Sequence, residues 1–441
     1  MIHREDARDI VVVDETDVVV CGAGPAGIAA ALASARTGAR TRLIELHGSL
    51  GGVWTTGALS WIIDSANKPG IMAELTQRLD AREARRARVE GGKNYAYDVE
   101  EMKLLLEEMC VEAGVDIRLH TRVVAAARGS DNRLSVVVTE SKSGREAWAA
   151  DAFVDTTGDG DLSFAAGCGF DMGHPETGAV QPMSLMALVT GLQFDEVEPY
   201  VGGSMKEPKQ RLGALMAEIG VPPSYGHPTL FRIRDDLFAL MANHQYDTKC
   251  DDAEALTSAT LRGRREIHGQ IAALREQGGV WSGMRVVSTG AQIGVREGRR
   301  IHGRYVVTGQ DLIAGARFDD AVCRVTMGID VHSTDPDQTK IVERKPHKSQ
   351  PYDIPLRALI ARDVDGLMMA GRCISGDFIA HSSYRVTGNA VAMGQAAGVT
   401  SALAAESGCL PHEVPWVDVK TGLDRLNGVC ETVGEPAPAV A

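Results

Sequence analysis

No Cys-x-x-Cys pair occurs among the eight cysteines, Cys21, Cys110, Cys168, Cys250, Cys323, Cys373, Cys409 and Cys430. That removes metal-ribbon, dithiol-oxidoreductase and iron–sulfur readings, leaves no metal site to expect, and fits a reducing compartment. No apolar run approaches the roughly 18 residues that span a bilayer. The start, Met1-Ile2-His3-Arg4-Glu5-Asp6, has neither a signal-peptide core nor a twin-arginine pair. Basic charge is also scarce. The formal charge of −13 argues against a nucleic-acid partner, because phosphate binding needs a basic surface. Repeats are absent, and low complexity is confined to Pro436–Ala441. What remains is 441 residues, 44% apolar and 24% charged, enough for two or three domains. The expectation is a cytoplasmic protein acting on a small molecule, with no membrane partner and with homo-oligomerisation left open.

Asp17-Val18-Val19-Val20-Cys21 reads as a buried parallel strand. Gly22-Ala23-Gly24-Pro25-Ala26-Gly27 follows, a G-x-G-x-x-G between that strand and a small-residue helix from about Pro25 to Thr37. Gly22 permits the tight turn, Gly24 lets backbone approach a pyrophosphate, and Gly27 lets the helix pack closely on the strand. The helix N-terminus then faces the phosphates. Glu45 ends a second strand, Thr41 to Glu45, where it can take two hydrogen bonds from a ribose diol. This is a dinucleotide site for NAD or FAD, and the acid disfavours the 2′-phosphate of NADP.

Three later segments favour FAD. Gly51-Gly52-Val53-Trp54 gives backbone access to an extended cofactor. Thr157-Gly158-Asp159-Gly160-Asp161 breaks a run of strands. Gly371-Arg372, Asp377 and Gly388-Asn389-Ala390 precede or open a helix to about Ala405, whose first amides would face the flavin pyrimidine. No second G-x-G-x-x-G follows a strand, so no separate NAD(P)H domain is expected. Electrons then enter from the substrate or a transient partner.

These stretches resemble the FAD-dependent oxidoreductase family of glutathione-reductase-like flavoproteins, on the succinate dehydrogenase/fumarate reductase side. The matching segments are GAGPAG, Gly51-Gly52, DTTGDGD, GVREGRRIHGRY, YDIPLRALI and GLMMAGRCISGDFIAHSSYRVTGNAVAMGQAAG. The resemblance implies an α/β fold: a Rossmann-like FAD-binding domain with an inserted α+β substrate domain. We expect the FAD domain at 1–172 and 340–441, and the insert at 173–339. It also implies that the strand with Val123 and Val124 touches the adenine, although an ordinary core strand reads the same way. In succinate dehydrogenases a His after the Gly pair carries the flavin covalently. Val53 and Trp54 stand here, so FAD is expected to be non-covalent.

His381-Ser382-Ser383-Tyr384-Arg385-Val386-Thr387-Gly388-Asn389-Ala390 resembles the N-R-L-G-G-N-A segment of fumarate reductases, whose Arg engages a substrate carboxylate. Arg385 is therefore the substrate-contact candidate, although Tyr384 replaces the Asn and Val386-Thr387 replace Leu-Gly. His381 is the candidate general base, or else a structural histidine, and Tyr384 a phenol donor. In the Gly294–Tyr305 run, Arg296 and Arg300 are candidates to face the flavin, against the plainer reading of an ion-pair network. Arg82, Arg85, Arg86 and Arg88 read as the solvated face of a polar helix. Two alternatives to a hydride-transferring dehydrogenase or reductase stand. One is an aromatic-hydroxylase-like monooxygenase, suggested by Gly158-Asp159-Gly160-Asp161-Leu162-Ser163. The other is the flavin subunit of an electron-transfer complex.

Overall fold

The strand Val12–Cys21 ends in four residues without solvent exposure, Val18 to Cys21, because parallel neighbours flank it on both sides. The computed structural model describes residues 2, 7–87, 94–202, 205–338, 342–343 and 348–433. The main sheet has seven strands. Its order is Asp116–Arg118, Thr41–Ile44, Val12–Cys21, Gly144–Asp155, Leu134–Ser141 and Arg122–Arg128, with Leu367–Met369 also on Gly144–Asp155. The first half of Gly144–Asp155 pairs antiparallel with its hairpin partner, and its last three residues pair parallel with Leu367–Met369. One strand thus serves both a meander and a parallel core. The fold is α/β and Rossmann-like.

Pro25 opens the helix Pro25–Arg36 at a position that needs no amide, and no side chain caps it. Its alanine face is buried against the helix Thr387–Ser407. A Cβ at Gly394 would lie 2.0 Å from the Ala26 carbonyl oxygen, and one at Gly398 2.2 Å from that of Ala30. The two helices therefore touch backbone to backbone, and chain segments far apart in sequence share one wall.

A second core gathers Leu185, Ala187, Val189, Leu230, Phe238 and Leu240 under the helix Ala253–Gln277. Those residues alternate with Met186, Leu188, Phe231 and Ala239, which join the first core. Period-two alternation thus gives this antiparallel sheet one face on its own helix and one on the main body. Its order is Thr229–Arg234, Leu237–Met241, Ala187–Thr190 and Arg285–Thr289. Ile301, Val307, Leu312 and Val325 pack in the first core again.

Some local expectations change. The helix ends at Ala81, and Arg85–Ala87 is a short strand, so the arginines do not share a helical face. Arg82 pairs with Glu108 and Arg85 with Asp80, while Arg88 lies outside the described residues. Asp98 caps Val99–Glu112 by accepting from the amides of Glu100 and Glu101, and its other oxygen takes Arg234. The strand with Val123 and Val124 begins at Arg122, after His120, whose φ of 54° turns the chain from Asp116–Arg118. The Pro436–Ala441 tail is outside the described residues.

Candidate functional site

The glycines of the first loop differ in what holds them. At Gly22 the φ is 95° and a Cβ would meet the Thr156 carbonyl oxygen at 2.5 Å. A Cβ at Gly27 would sit 1.8 Å from the Gly22 oxygen. At Gly24 it would meet nothing within 4 Å. Gly22 and Gly27 are required by the protein itself, whereas Gly24 borders open space beside the uncapped helix at Pro25 and Ala26. Glu45 is buried, and both its oxygens accept backbone amides, from Ala23 at 2.6 Å and His47 at 2.8 Å. It is therefore first a clamp on the glycine loop, with only its remaining lone pairs left for a diol.

Gly51 and Gly52 have φ values of 103° and 52°, and a Cβ on Gly52 would lie 2.9 Å from Gly24 Cα. The Gly51 amide donates to the Ala23 carbonyl at 2.7 Å, so the Gly pair seats on the first loop. Val53 and Trp54 complete that turn. Trp54 is buried, and its Nε1 has no partner within the protein. The Thr121 amide donates to the Glu45 carbonyl, bringing the strand Arg122–Arg128 alongside. A bulge between Val123 and Ala125 takes Val124 out of the ladder with Leu134–Ser141.

Asp155, without exposure, gathers the next turn by accepting from Thr157 N and Oγ1 and from Ser163 N and Oγ. Ser163 thus points inward, onto Asp155. Asp159 pairs with Arg372 at 2.8 Å, and Gly158 leaves room for that guanidinium. Gly371, with φ 88°, packs beside Ala26 and Ala390.

The segment before the last long helix departs from expectation in four places. Asp377 spends one oxygen capping Phe378–Tyr384 at Ala380 and the other on the Gly309 amide that opens Gly309–Ala314. Tyr384 donates its hydroxyl to the Ile374 carbonyl at 3.0 Å in a buried setting, and burial raises its pKa far above the phenol range. Gly388 donates to the Ile63 carbonyl, and the Asn389 and Ala390 amides go to Val386. The first helical turn is thus largely self-satisfied, not aimed outward. His381 is fully buried, and burial with Arg385, Arg300 and Arg372 nearby pushes it well below its usual range. An imidazole so placed stays neutral, with the Arg372 backbone beside it.

Arg300 is bound to Glu297 at 2.5 Å and to the Gly173 carbonyl, which makes it an internal strut. Arg296 and Arg385 instead meet in a cluster the sequence did not reveal. Arg385 donates to the Asp330 carbonyl at 2.8 Å and to that of Arg296 at 3.4 Å, with the Asp330 carboxylate 3.9 Å away. Arg296 donates to the Pro182 carbonyl and to Ser184 Oγ. His332 Nε2 lies 3.2 Å from Asp330 Oδ2. The rings of His244 and His332 are 5.1 Å apart, and Tyr225 stacks on His244 at 4.3 Å. Burial pushes His332 down to about 4, aided by Arg296 and opposed by Asp330, and also depresses His244. Burial would raise Asp330, but its bond to His332 and the guanidiniums of Arg385 and Arg296 hold it well below the carboxylate range. Burial lowers Arg385 to about 10. These residues come from six separated places in the chain. Only the low aromatic content, 5%, makes a knot of rings notable, and it gives no position.

A Rossmann-like sheet whose glycine loop opens onto an uncapped helix defines a dinucleotide-binding protein. The chain belongs to the FAD dependent oxidoreductase family, whose sequence model it matches over residues 17–423, and FAD is its cofactor. The residues present fit that group. Gly24 borders open space, Asn389 has both amide atoms unpaired without exposure, and Trp54 Nε1 and Thr387 Oγ1 are unpaired and buried too. Buried polar atoms of this kind call for a partner. No curated protein matches the chain. Among solved structures, it is similar to a geranylgeranyl bacteriochlorophyll reductase-like protein from Thermoplasma acidophilum at 12% identity and TM-score 0.46, covering 97% of this chain and 93% of that one. It is also similar to p-nitrophenol 4-monooxygenase from Pseudomonas putida at 13% and 0.45, covering 97% and 91%. A third is CabE, an aromatic hydroxylase from angucycline biosynthesis, at 13% and 0.47, covering 95% and 67%. No helix among the described residues is long and apolar enough to cross a membrane.

Proposed function

We propose that the chain is a dehydrogenase or reductase on the succinate dehydrogenase/fumarate reductase side of the flavoproteins, acting on a small organic anion without an NAD(P)H domain of its own. One observation carries this reading: two buried guanidiniums, Arg296 and Arg385, lie together beside the Asp330 carboxylate, while nearby Glu297 is bound to Arg300. Buried charge needs a counter-charge, and a substrate carboxylate supplies it. FAD, when bound, accepts or returns the substrate's electron pair. Gly22 to Gly27, Glu45, Gly51 to Trp54, Val123, Val124, Thr157 to Asp159, Gly371, Arg372 and Gly388 to Ala390 would hold it non-covalently.

The chain's own groups then divide the remaining work. Arg385 and Arg296 orient the anion. His332, fixed by Asp330 at one nitrogen and by Gln181 Oε1 at its backbone amide, handles the proton. His381 and Tyr384 position Arg385 from behind. The unit from about 183 to 295, with its own core, caps the pocket and excludes water.

The test is anaerobic. The FAD-loaded protein receives carboxylates, sugars, amines, NADH and NADPH in turn, and the visible flavin bands are recorded. Bleaching by an organic acid alone, lost in Arg385→Met, is the expected result. Bleaching by NADPH only, accelerated by an aromatic effector, would overturn it in favour of a monooxygenase.

A further inference from the structure

Asp64 is 2% exposed and sits in the left-handed backbone region, with φ 61°. Asp and Asn enter that region more readily than other side chains, because a short polar group can bond to nearby backbone. At Asp64 the bonds reach much further along the chain. Its carboxylate accepts the Thr326 amide at 2.8 Å, the Met327 amide at 3.2 Å and the Thr326 hydroxyl. Lys68 Nζ, itself buried, lies 3.6 Å away. Both carboxylate oxygens are thus committed inside the protein.

These partners converge on one turn. The Met327 carbonyl accepts Ser383 Oγ at 2.7 Å, on the helix Phe378–Tyr384. The Gly388 amide, in the first turn of Thr387–Ser407, donates to the Ile63 carbonyl at 3.1 Å. A Cβ at Gly388 would lie 2.4 Å from the Asp64 carbonyl oxygen. One residue therefore grips both helices beside the Arg385-Val386 junction. It reaches the first through its carboxylate and Thr326-Met327, and the second through its own backbone. The junction leads into Thr387 and Asn389, whose side-chain polar atoms are buried without a protein partner and fit FAD.

We propose that Asp64 is a positioning residue of the flavin site, fixing the junction between Phe378–Tyr384 and Thr387–Ser407 and so setting where Thr387 and Asn389 meet the cofactor. The assignment rests on FAD as the cofactor and is independent of the anion reading above.

Glycine adopts the same backbone without the carboxylate, and asparagine adopts it with one acceptor oxygen in place of two. Asp64→Gly, Asp64→Asn and Thr326→Val are compared with Glu74→Gln. The last breaks the pairs of a buried carboxylate with Arg36 and Arg78, and Arg36 ends its helix away from the glycine loop. The FAD dissociation constant is measured on apoprotein, and the visible spectrum and midpoint potential on the loaded forms. Asp64→Gly is expected to weaken FAD about tenfold, Asp64→Asn about threefold and Thr326→Val about twofold, with the flavin bands and potential moving in the same order. Glu74→Gln should lower the melting temperature and leave bands and potential in place. Wild-type FAD affinity, bands and potential in Asp64→Gly would overturn the proposal. Equal changes in Glu74→Gln would also overturn it, because FAD would then report stability alone. If Asp64→Gly yields no soluble protein, Asp64→Asn and Thr326→Val are judged by the same two outcomes.

Discussion

The two halves of the site are specified in different ways. Around the glycine loop, backbone meets backbone: the Gly27 position faces the Gly22 oxygen, Gly52 faces Gly24, and Gly394 faces Ala26. Around Arg296 and Arg385, side chains make the contacts: the guanidiniums donate to main-chain carbonyls and to Ser184 Oγ, beside packed rings and the Asp330 carboxylate. The first half tolerates almost no added atom. The second is defined by charge and hydrogen-bond balance, so its residues can be exchanged at moderate cost but with large effects on what binds.

Substitutions break this contrast most sharply in the loop. Gly27→Val should abolish soluble, flavin-bearing protein, because its Cβ alone would overlap the Gly22 carbonyl. Gly24→Ala should leave the fold intact and lower FAD affinity, measured as flavin retained on desalting and as the melting temperature of the apoprotein. Equal damage from both would show that the open space at Gly24 is not where a cofactor approaches.

Acid should act on the second half. His244, His332 and His381 are held neutral in the fold, with values below the 6.5 of an unperturbed ring. The unfolded chain therefore binds protons that the native one refuses, and stability falls as pH drops from about 6.5 towards 4. Each histidine contributes up to about 1.4 kcal/mol per pH unit. Urea midpoints at pH 7.5, 6.5 and 5.5 measure it, and a smaller slope is expected in His332→Gln. A flat profile would mean that the rings are charged in the native state.

Asp155→Asn should cost about 2–3 kcal/mol, since an amide NH₂ would face the Ser163 or Thr157 donors. Asp330→Asn removes the nearest negative charge from both guanidiniums. Stability should fall by about 1–2 kcal/mol while benzoate binds several-fold more tightly. Weaker binding would show that the carboxylate orients the arginines more than it opposes the ligand. The smallest effect is expected for Tyr384→Phe, about 1 kcal/mol for the orphaned Ile374 carbonyl, with the flavin spectrum unchanged.

The glycine half was legible because its contacts are local and repeat a known spacing: strand, turn, helix and acid appear in order from Asp17 to Glu45. The helix Pro25–Arg36 was readable for the same reason. Glu45 was found, but its use was only half seen. Nothing in a sequence says that its two oxygens first meet the Ala23 and His47 amides. Asp377 and Tyr384 illustrate a different failure. Their motif resembled a ligand-facing segment, yet both spend their hydrogen bonds inside the protein. The cluster of Gln181, Tyr225, His244, Arg296, Asp330, His332 and Arg385 was legible only at its two arginines. Its members are scattered, and tertiary folding alone makes them neighbours.

The backbone-to-backbone seam between Pro25–Arg36 and Thr387–Ser407 also constrains the order of events during synthesis. The glycine loop leaves the ribosome early, but the helix that covers its alanine face is made hundreds of residues later. Until then the face of that helix met by Gly394 and Gly398 stays uncovered, and the cofactor's cradle lacks one side. The cradle for FAD is therefore complete only when both helices are present, and contacts this distant in sequence form slowly.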